Sequence, residues 1–195
     1  MVRSRPAPDA AGRPFRGGGG PAEIDQPLPR PVRTGRASRL GDLAAAAGDW
    51  NDATAEYGKS IDLDRANPEV FLKRANARLR LGKAAPAAAD FAKAAELDPE
   101  SAEAQVGLAA ASEASGDSPR ALAAARAAVG LDVSLPDGHL VLARLLLNPA
   151  DGSPPEVPQA IAHARKAVAL TRGTDAEAVE MLARARARAE TGGSP

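Results

Sequence analysis

Apolar and polar residues along this chain recur with a period of 34 residues. A Gly followed by a charged residue stands at Gly48, Gly82 and Gly116, and an Ala follows each Gly after five residues. A Leu-Asp pair then closes each unit, at residues 63–64, 97–98 and 131–132. A fixed period of this length predicts a chain that stacks one supersecondary unit. Such arrays present an extended surface instead of a single buried catalytic centre, which favours binding as the function.

Each unit divides into two helices, because its Gly suits the C-terminus of a helix and separates two segments of helical periodicity. Three units follow one another without a gap, at 34–67, 68–101 and 102–135. Ser118 before Pro119 is a predicted N-cap, and Pro86 is compatible with the first turn of its helix. The predicted helices are 37–47, 51–64, 69–81, 85–97, 102–115 and 119–132.

The fourth unit, 136–174, is irregular. Its predicted helices are 136–148 and 159–170, and the segment between them, 149–158, contains four Pro and carries five extra residues. We predict a protruding loop that leaves the stack intact. A helix over 175–190 then follows, with a predicted capping box formed by Thr174 and Glu177. Its single polar face suits the closing helix of a helical array.

The N-terminal segment 1–33 has a different composition, with seven of the 17 Pro and five of the 18 Gly. It lacks apolar periodicity, so we predict a disordered tail. Through Arg36 the chain has seven Arg against three acidic residues, whereas the remainder has 18 basic and 22 acidic residues. A plain linker is the favoured interpretation; the alternatives are a Pro-rich ligand around 27–31 and an RNA contact, for which Phe15 alone offers stacking.

Composition excludes several classes of protein. The formal net charge is zero, so no global field attracts nucleic acid or a membrane. With no Cys, the chain has neither disulfides nor thiolate metal ligands. No apolar stretch resembles a secretion signal or reaches the roughly 20 residues of a membrane span. We therefore predict a soluble cytoplasmic protein in which Ala supplies much of the packing.

The repeated pattern resembles the tetratricopeptide repeat over residues 34–190. Small residues recur where that family packs two helices closely, and large residues recur where it fills the gaps between them. Ser60, Arg65, Ala125 and Val133 depart from the family pattern. The matching residues are Leu40, Gly41, Gly48, Trp50, Ala53 and Tyr57; then Phe71, Ala75, Gly82, Ala87, Phe91, Ala94 and Pro99; then Leu108, Ala109, Gly116, Ala121 and Ala128.

The resemblance implies an all-α, right-handed solenoid of helix–turn–helix repeats. A plain helical bundle is the alternative, but a bundle does not require a 34-residue period. In the family, the first helix of each unit lines a concave groove that binds a peptide. Transferred to this chain, the groove positions are Arg39, Asp42, Glu69, Lys73, Asn76, Arg80, Glu103, Val106, Ala110, Asp137, Leu140, Val141 and Arg144. For any one of them, a merely solvated helix face is the alternative.

Some family members bind the acidic C-terminus of a chaperone with a carboxylate clamp. The corresponding positions here hold Ser38, Asp42, Lys73, Glu103 and Gly107, of which one is basic and two are acidic. Because the acidic side chains would repel a terminal carboxylate, we expect no such adaptor role.

No constellation of catalytic residues is visible. Gly17–Gly20 lacks the Lys and the Ser or Thr of a phosphate loop, and no nucleophile and base share a characteristic spacing. We interpret His139 as a packing residue and His163 as facing solvent, without a third metal ligand. The sequence thus predicts no enzyme activity, cofactor, metal or small-molecule substrate.

The favoured function is a scaffold or adaptor that binds a segment of another protein in the groove. The alternative is an accessory subunit of an enzyme or secretion assembly that docks through its convex face or its ends. In that case the Leu-rich helix at 140–147 and the loop at 149–158 would matter more than the groove. The pattern does not identify the partner.

Overall fold

The structure is a computed structural model, and it describes residues 30–149 and 154–191. Over these ranges the chain forms nine α-helices and no strand, which confirms the all-α helical array. The helices are α1 (Arg30–Ala47), α2 (Trp50–Leu63), α3 (Pro68–Arg80), α4 (Ala84–Leu97), α5 (Ala102–Ala114), α6 (Ser118–Leu131), α7 (Pro136–Leu147), α8 (Val157–Leu170) and α9 (Ala176–Thr191).

Consecutive helices pack on one another along the whole described chain, from α1 against α2 to α8 against α9. Four helix pairs therefore stack, and α9 packs on both α8 and α7. The predicted tail boundary at residue 33 is wrong by four residues, because α1 begins at Arg30. Pro31 is compatible with that start, since the first turn of a helix needs no backbone N–H donors. The rest of the predicted tail, 1–29, lies outside the described residues.

The Gly at the turn within each regular repeat adopts the left-handed conformation that its sequence position predicted. Gly48 and Gly116 both have a φ of 83°. In the first repeat Asp49 N donates to Ala44 O at 2.9 Å, and in the third Asp117 N donates to Ser112 O at 2.8 Å. The same turn thus satisfies the last carbonyl groups of each first helix.

Two predicted N-caps are wrong by one residue. Asp117, not Ser118, caps α6, since its carboxylate accepts a hydrogen bond from Arg120 N at 3.2 Å. Asp175 accepts from Glu177 N at 2.9 Å, whereas the Thr174 hydroxyl donates to Thr171 O at 2.6 Å. The capping box therefore does not form. In both places an Asp carboxylate next to the helix replaces the neighbouring hydroxyl as the acceptor.

Close packing in the core depends on pairing a large ring with a residue that has no side chain. The ring of Phe91 on α4, only 1% exposed, lies against Gly107 on α5, where an added Cβ would overlap it. The ring of Tyr57 lies in the same way against Gly41. Elsewhere the core is dominated by Ala, Leu and Val, which matches the Ala-rich composition.

Candidate functional site

The first helices of the repeats form one layer of the array. Helix α5 contacts both α3 and α7, and α7 contacts α9, whereas the second helices have no comparable contacts with one another among the described elements. In a curved stack of two layers, the layer with the closer spacing lies on the concave side. The surface of α1, α3, α5, α7 and α9 is therefore the inner face, and it is the surface to which the sequence analysis assigned the groove.

The predicted groove residues divide by their exposure. Val106, Ala110 and Arg144 are half-buried, as are Asp42 and Lys73. Leu140 and Val141 are only 6% and 7% exposed and belong to the core, so their assignment to the groove is wrong. Nearly all of α7 from Gly138 to Leu147 is buried, because α5, α6, α8 and α9 all pack on it. The exposed members of the predicted set are Arg39, Glu69, Asn76, Arg80, Glu103 and Asp137.

Lys73 connects the first two repeats across the inner face. Its ammonium group lies 3.2 Å from a carboxylate oxygen of Asp42 on α1 and 2.9 Å from one of Glu69 on α3. Asp42 also accepts a hydrogen bond from the hydroxyl of Tyr57 at 2.9 Å. Burial lowers the pKa of Lys73, but the hydrogen bonds and charges of the two carboxylates outweigh this effect and raise it. The ammonium group of Lys73 is thus bound by two carboxylates.

Arg144 has the same role between the later repeats. Its guanidinium group lies 2.8 Å from Glu113 on α5 and 3.2 Å from Glu177 on α9. Sequence reasoning did not predict either partner. Both cross-repeat pairs, Asp42–Lys73 and Glu113–Arg144, join residues 31 positions apart. That separation is one helical turn short of the repeat, so opposite charges at this spacing are the signal that could have revealed them.

These ion pairs leave little free positive charge at the positions of a carboxylate clamp. Lys73, the one basic residue there, already has two carboxylate partners. Gly107 cannot give way to a basic residue, because any side chain would overlap Phe91. A carboxylate bound at these positions would therefore have to compete with the ion pairs of Lys73.

A cleft opens at the first end of the inner face, between α1, the end of α2 and the start of α3. It has a volume of about 570 Å³. Its walls carry hydrogen-bonding groups and both signs of charge, from Ser38, Arg39, Asp42, Asp64, Asn67 and Lys73. Farther along α3, the guanidinium of Arg80 lies 5.8 Å from the centre of the Trp50 ring, a cation–π contact. Such walls suit a polar peptide segment.

The two histidines, which the sequence analysis assigned to packing and to solvent, lie together. His139 on α7 is buried and His163 on α8 is half-buried, so the prediction that His163 faces solvent is wrong. Their Nδ1 atoms are 2.9 Å apart, and their rings stack with 5.2 Å between centroids. No group of three or more metal-ligating side chains is present among the residues that the structure describes.

The Pro-rich segment of the fourth repeat is shorter than predicted, because α8 begins at Val157 instead of 159. Residues 150–153 lie outside the described ranges. Just before α8, Glu156 N donates to Leu146 O at 2.9 Å, and its carboxylate lies 3.8 Å from Arg126. This end of the segment is therefore tied to α6 and α7. No helix within the described residues is both long and apolar enough to cross a bilayer.

Comparison with known proteins finds similarity in structure. No protein-family model matches the chain, and no curated protein matches its sequence. The crystal structure of the MamA protein is similar with a TM-score of 0.70 and 24% identity, over 83% of this chain and 84% of that one. At this identity the match concerns the fold.

Two further solved structures are similar, and one has a peptide-binding site while the other is bound to a peptide. YrrB, described as a TPR protein with an unusual peptide-binding site, has a TM-score of 0.62 and 18% identity, over 79% of this chain and 76% of its own. The first TPR of Spaghetti (RPAP3), bound to the HSP90 peptide SRMEEVD, has a TM-score of 0.56 and 24% identity, over 58% of this chain and 90% of its own.

Proposed function

Since the chain has the tetratricopeptide-repeat fold, we propose that it is a non-enzymatic scaffold or adaptor that binds an extended or helical segment of another protein on its inner face. The observation that supports the proposal is the exposure of three polar residues at predicted groove positions, Arg39, Asn76 and Arg80. Arg39 also lines the cleft at α1 and α3. Packing of the repeats does not bury these side chains. The similar folds of YrrB and of the RPAP3 repeat, which have peptide sites, support the same reading.

The preferred segment is not an acidic C-terminus. Lys73 and Arg144 each face two carboxylates, so a further carboxylate would have to displace one of them. The cleft instead offers Ser38 and Asn67 together with Arg39 and Asp42. A segment of mixed charge with free hydrogen-bonding groups fits these walls. We expect an acidic chaperone-tail peptide to show no binding at millimolar concentration, and micromolar affinity that Lys73→Ala abolishes would contradict this.

The proposal is tested with a partner that is captured by the full chain, identified and then purified. Calorimetry compares its affinity for the unmodified chain with that for Arg39→Ala, Asn76→Ala and Arg80→Ala. Arg39 and Asn76 are better probes than Lys73 and Arg144, whose replacement would also break contacts between repeats. Arg80→Ala removes the contact with Trp50 of the first repeat as well, so it is interpreted together with the other two variants. Lys93→Ala and Arg120→Ala on the second helices are matched controls. Unchanged affinity in all three inner-face variants would show that the groove assignment is wrong.

A second candidate function has its own supporting observation. Large apolar side chains are exposed at both ends of the array, Leu43 on α1 by 67% and Val179 on α9 by 45%. They favour an accessory subunit that docks on an enzyme or secretion assembly through its ends or convex face. Leu43→Ser and Val179→Ser are the direct tests.

A deletion of residues 150–155 tests the Pro-rich segment and keeps the contacts of Glu156. Loss of partner binding with an unchanged helical circular-dichroism spectrum would favour this second function.

We place the protein in the cytoplasm and expect neither nucleic acid nor a membrane as its partner. The zero net charge and the absence of Cys support this part of the proposal. Fractionation of cells with an antibody against the chain tests the location, and recovery in a membrane or secreted fraction would contradict it.

A further inference from the structure

His139 and His163 form a hydrogen-bonded pair that joins the two helices of the fourth repeat. Besides the Nδ1–Nδ1 contact at 2.9 Å, His139 Nε2 lies 3.0 Å from the carbonyl oxygen of Val133, in the segment between α6 and α7. His139 is 3% exposed. A single buried imidazole on α7 therefore contacts two other parts of the chain, His163 on α8 and Val133 at the joint between repeats.

The contacts of the pair determine where its protons lie. A carbonyl oxygen can only accept, so His139 Nε2 carries a proton and donates it to Val133. In neutral His139 the other nitrogen, Nδ1, then has a lone pair, and His163 Nδ1 must be the donor in the bond between the rings. His163 Nε2 is consequently the unprotonated nitrogen. It belongs to the half-buried ring of the pair.

The number of protons that the closed pair can hold is limited. One added proton can bind to His163 Nε2, because this leaves the bond between the rings unchanged. A second would have to bind to His139 Nδ1, which would put two N–H groups face to face at 2.9 Å. We propose that His139 and His163 form a pH-sensitive latch between α7 and α8, which holds at most one added proton when closed and opens when both rings are charged.

The charged groups around the pair are one carboxylate that interacts with it and others that are already paired or exposed. Asp132, at the end of α6, is the carboxylate that interacts with His139, and hydrogen bonds from Ser134 hold its pKa below the usual range.

The other charged groups on the neighbouring helices are paired or exposed. Toward α5 and α9, the carboxylates of Glu113 and Glu177 form ion pairs with Arg144. Between α6 and α8, Glu156 pairs with Arg126. On α8, the exposed Arg165 and Lys166 add positive charge. On α7 itself, Asp137 is an exposed residue of the first turn.

The sign of the pH effect follows from this count of protons. Below a pH of about 6.5 the unfolded chain binds a proton on each histidine, whereas the closed latch holds at most one. The folded state thus binds fewer protons, so its stability falls as the pH falls. Burial holds the pKa of His163 below its usual range, which adds to the loss in the same direction.

The first test uses the full chain, whose only two histidines are those of the latch. Long-range ¹H–¹⁵N spectra at pH 7.5 should show the Nε2–H tautomer for His139 and the Nδ1–H tautomer for His163. On titration to pH 5, the folded chain should take up no more than one proton on the two rings. Two rings that both become charged while the backbone spectrum stays native would overturn the latch.

The second test measures the free energy of unfolding in urea at pH 6 and at pH 5, for the unmodified chain and for a control variant. Most carboxylates titrate below this range. The control is His139→Phe, which keeps a flat ring at the buried position and leaves His163 to titrate alone. We expect the folding equilibrium constant of the unmodified chain to fall, relative to this variant, by about tenfold over that unit of pH, the effect of one proton. Parallel curves would overturn the proposal. Where the variant fails to fold, the spectra of the unmodified chain decide.

Discussion

Both carboxylate oxygens of Asp90 on α4 accept hydrogen bonds from the guanidinium of Arg74 on α3, at 2.8 and 2.7 Å. Arg78, one turn farther along α3, donates to the same carboxylate at 2.7 Å. Asp90 is only 4% exposed, and Arg74 also lies 5.6 Å from the centre of the Phe71 ring. A buried carboxylate of this kind requires its partners, since an unpaired charge in the interior is costly.

We predict that Asp90→Ala lowers the free energy of unfolding by about 3 kcal/mol, because it leaves Arg74 and Arg78 as neighbouring cations between two helices. Chemical denaturation of the full chain measures the change. Glu96→Ala is the matched control on the same helix: Glu96 pairs with Lys93 at 2.8 Å but is largely exposed, so its loss should cost less than about 0.5 kcal/mol. Equal effects of the two substitutions would contradict the prediction.

The contact between Phe91 and Gly107 gives a prediction with opposite signs at two glycines. Gly107→Ala should destabilise the fold by about 2 kcal/mol, because its Cβ would overlap a ring that is 1% exposed and held by the core. Gly130→Ala, in α6, meets no heavy atom and should stabilise by about 0.5 kcal/mol through helix propensity. Thermal unfolding of both variants is the measurement, and a Gly107→Ala variant as stable as the original chain would be the contrary result.

Ser112 on α5 should be replaceable by Ala without loss. It is fully buried, and its Oγ has no hydrogen-bond partner among the described residues. Because burying an unpaired hydroxyl is unfavourable, we expect Ser112→Ala to raise the free energy of unfolding by about 1 kcal/mol. Ser115→Ala is the control, since the exposed Ser115 hydroxyl donates to Ser112 O at 3.0 Å. A destabilised Ser112→Ala variant would show that the hydroxyl has a partner.

The period of the sequence predicted the helices well, because each turn depends on local chemistry. Gly48, Gly82 and Gly116 all have the positive φ that their positions required, and helices α2 to α7 begin and end within one residue of the prediction. The start of α1 was wrong by seven residues, since Pro and Gly nearby hide a helix whose first turn accepts Pro31. Local sequence signals thus predicted where the helices lie, but they predicted the first boundary of the array less accurately.

The site was harder to predict, because side chains meet across repeats. Position within the repeat assigned Leu140 to the groove, but α7 is covered by four helices and Leu140 joins the core. The five-residue insertion likewise removed any regular spacing that could pair His139 with His163, although their rings stack. Contacts of this type depend on how the repeats dock on one another, which the 34-residue period alone does not specify.

Arg144 should hold the closing helix α9 in place, because it connects Glu113 on α5 with Glu177 on α9. These side chains are partly exposed, so we expect Arg144→Ala to cost only about 1 kcal/mol of global stability. Its specific effect should be faster hydrogen exchange of the α9 amides than of α3 and α4, as the array opens from that end. Arg184→Ala, which removes an exposed pair with Glu180 inside α9, is the control. Equal exchange in both variants would mean that α9 is held by its apolar contacts with α7 and α8 alone.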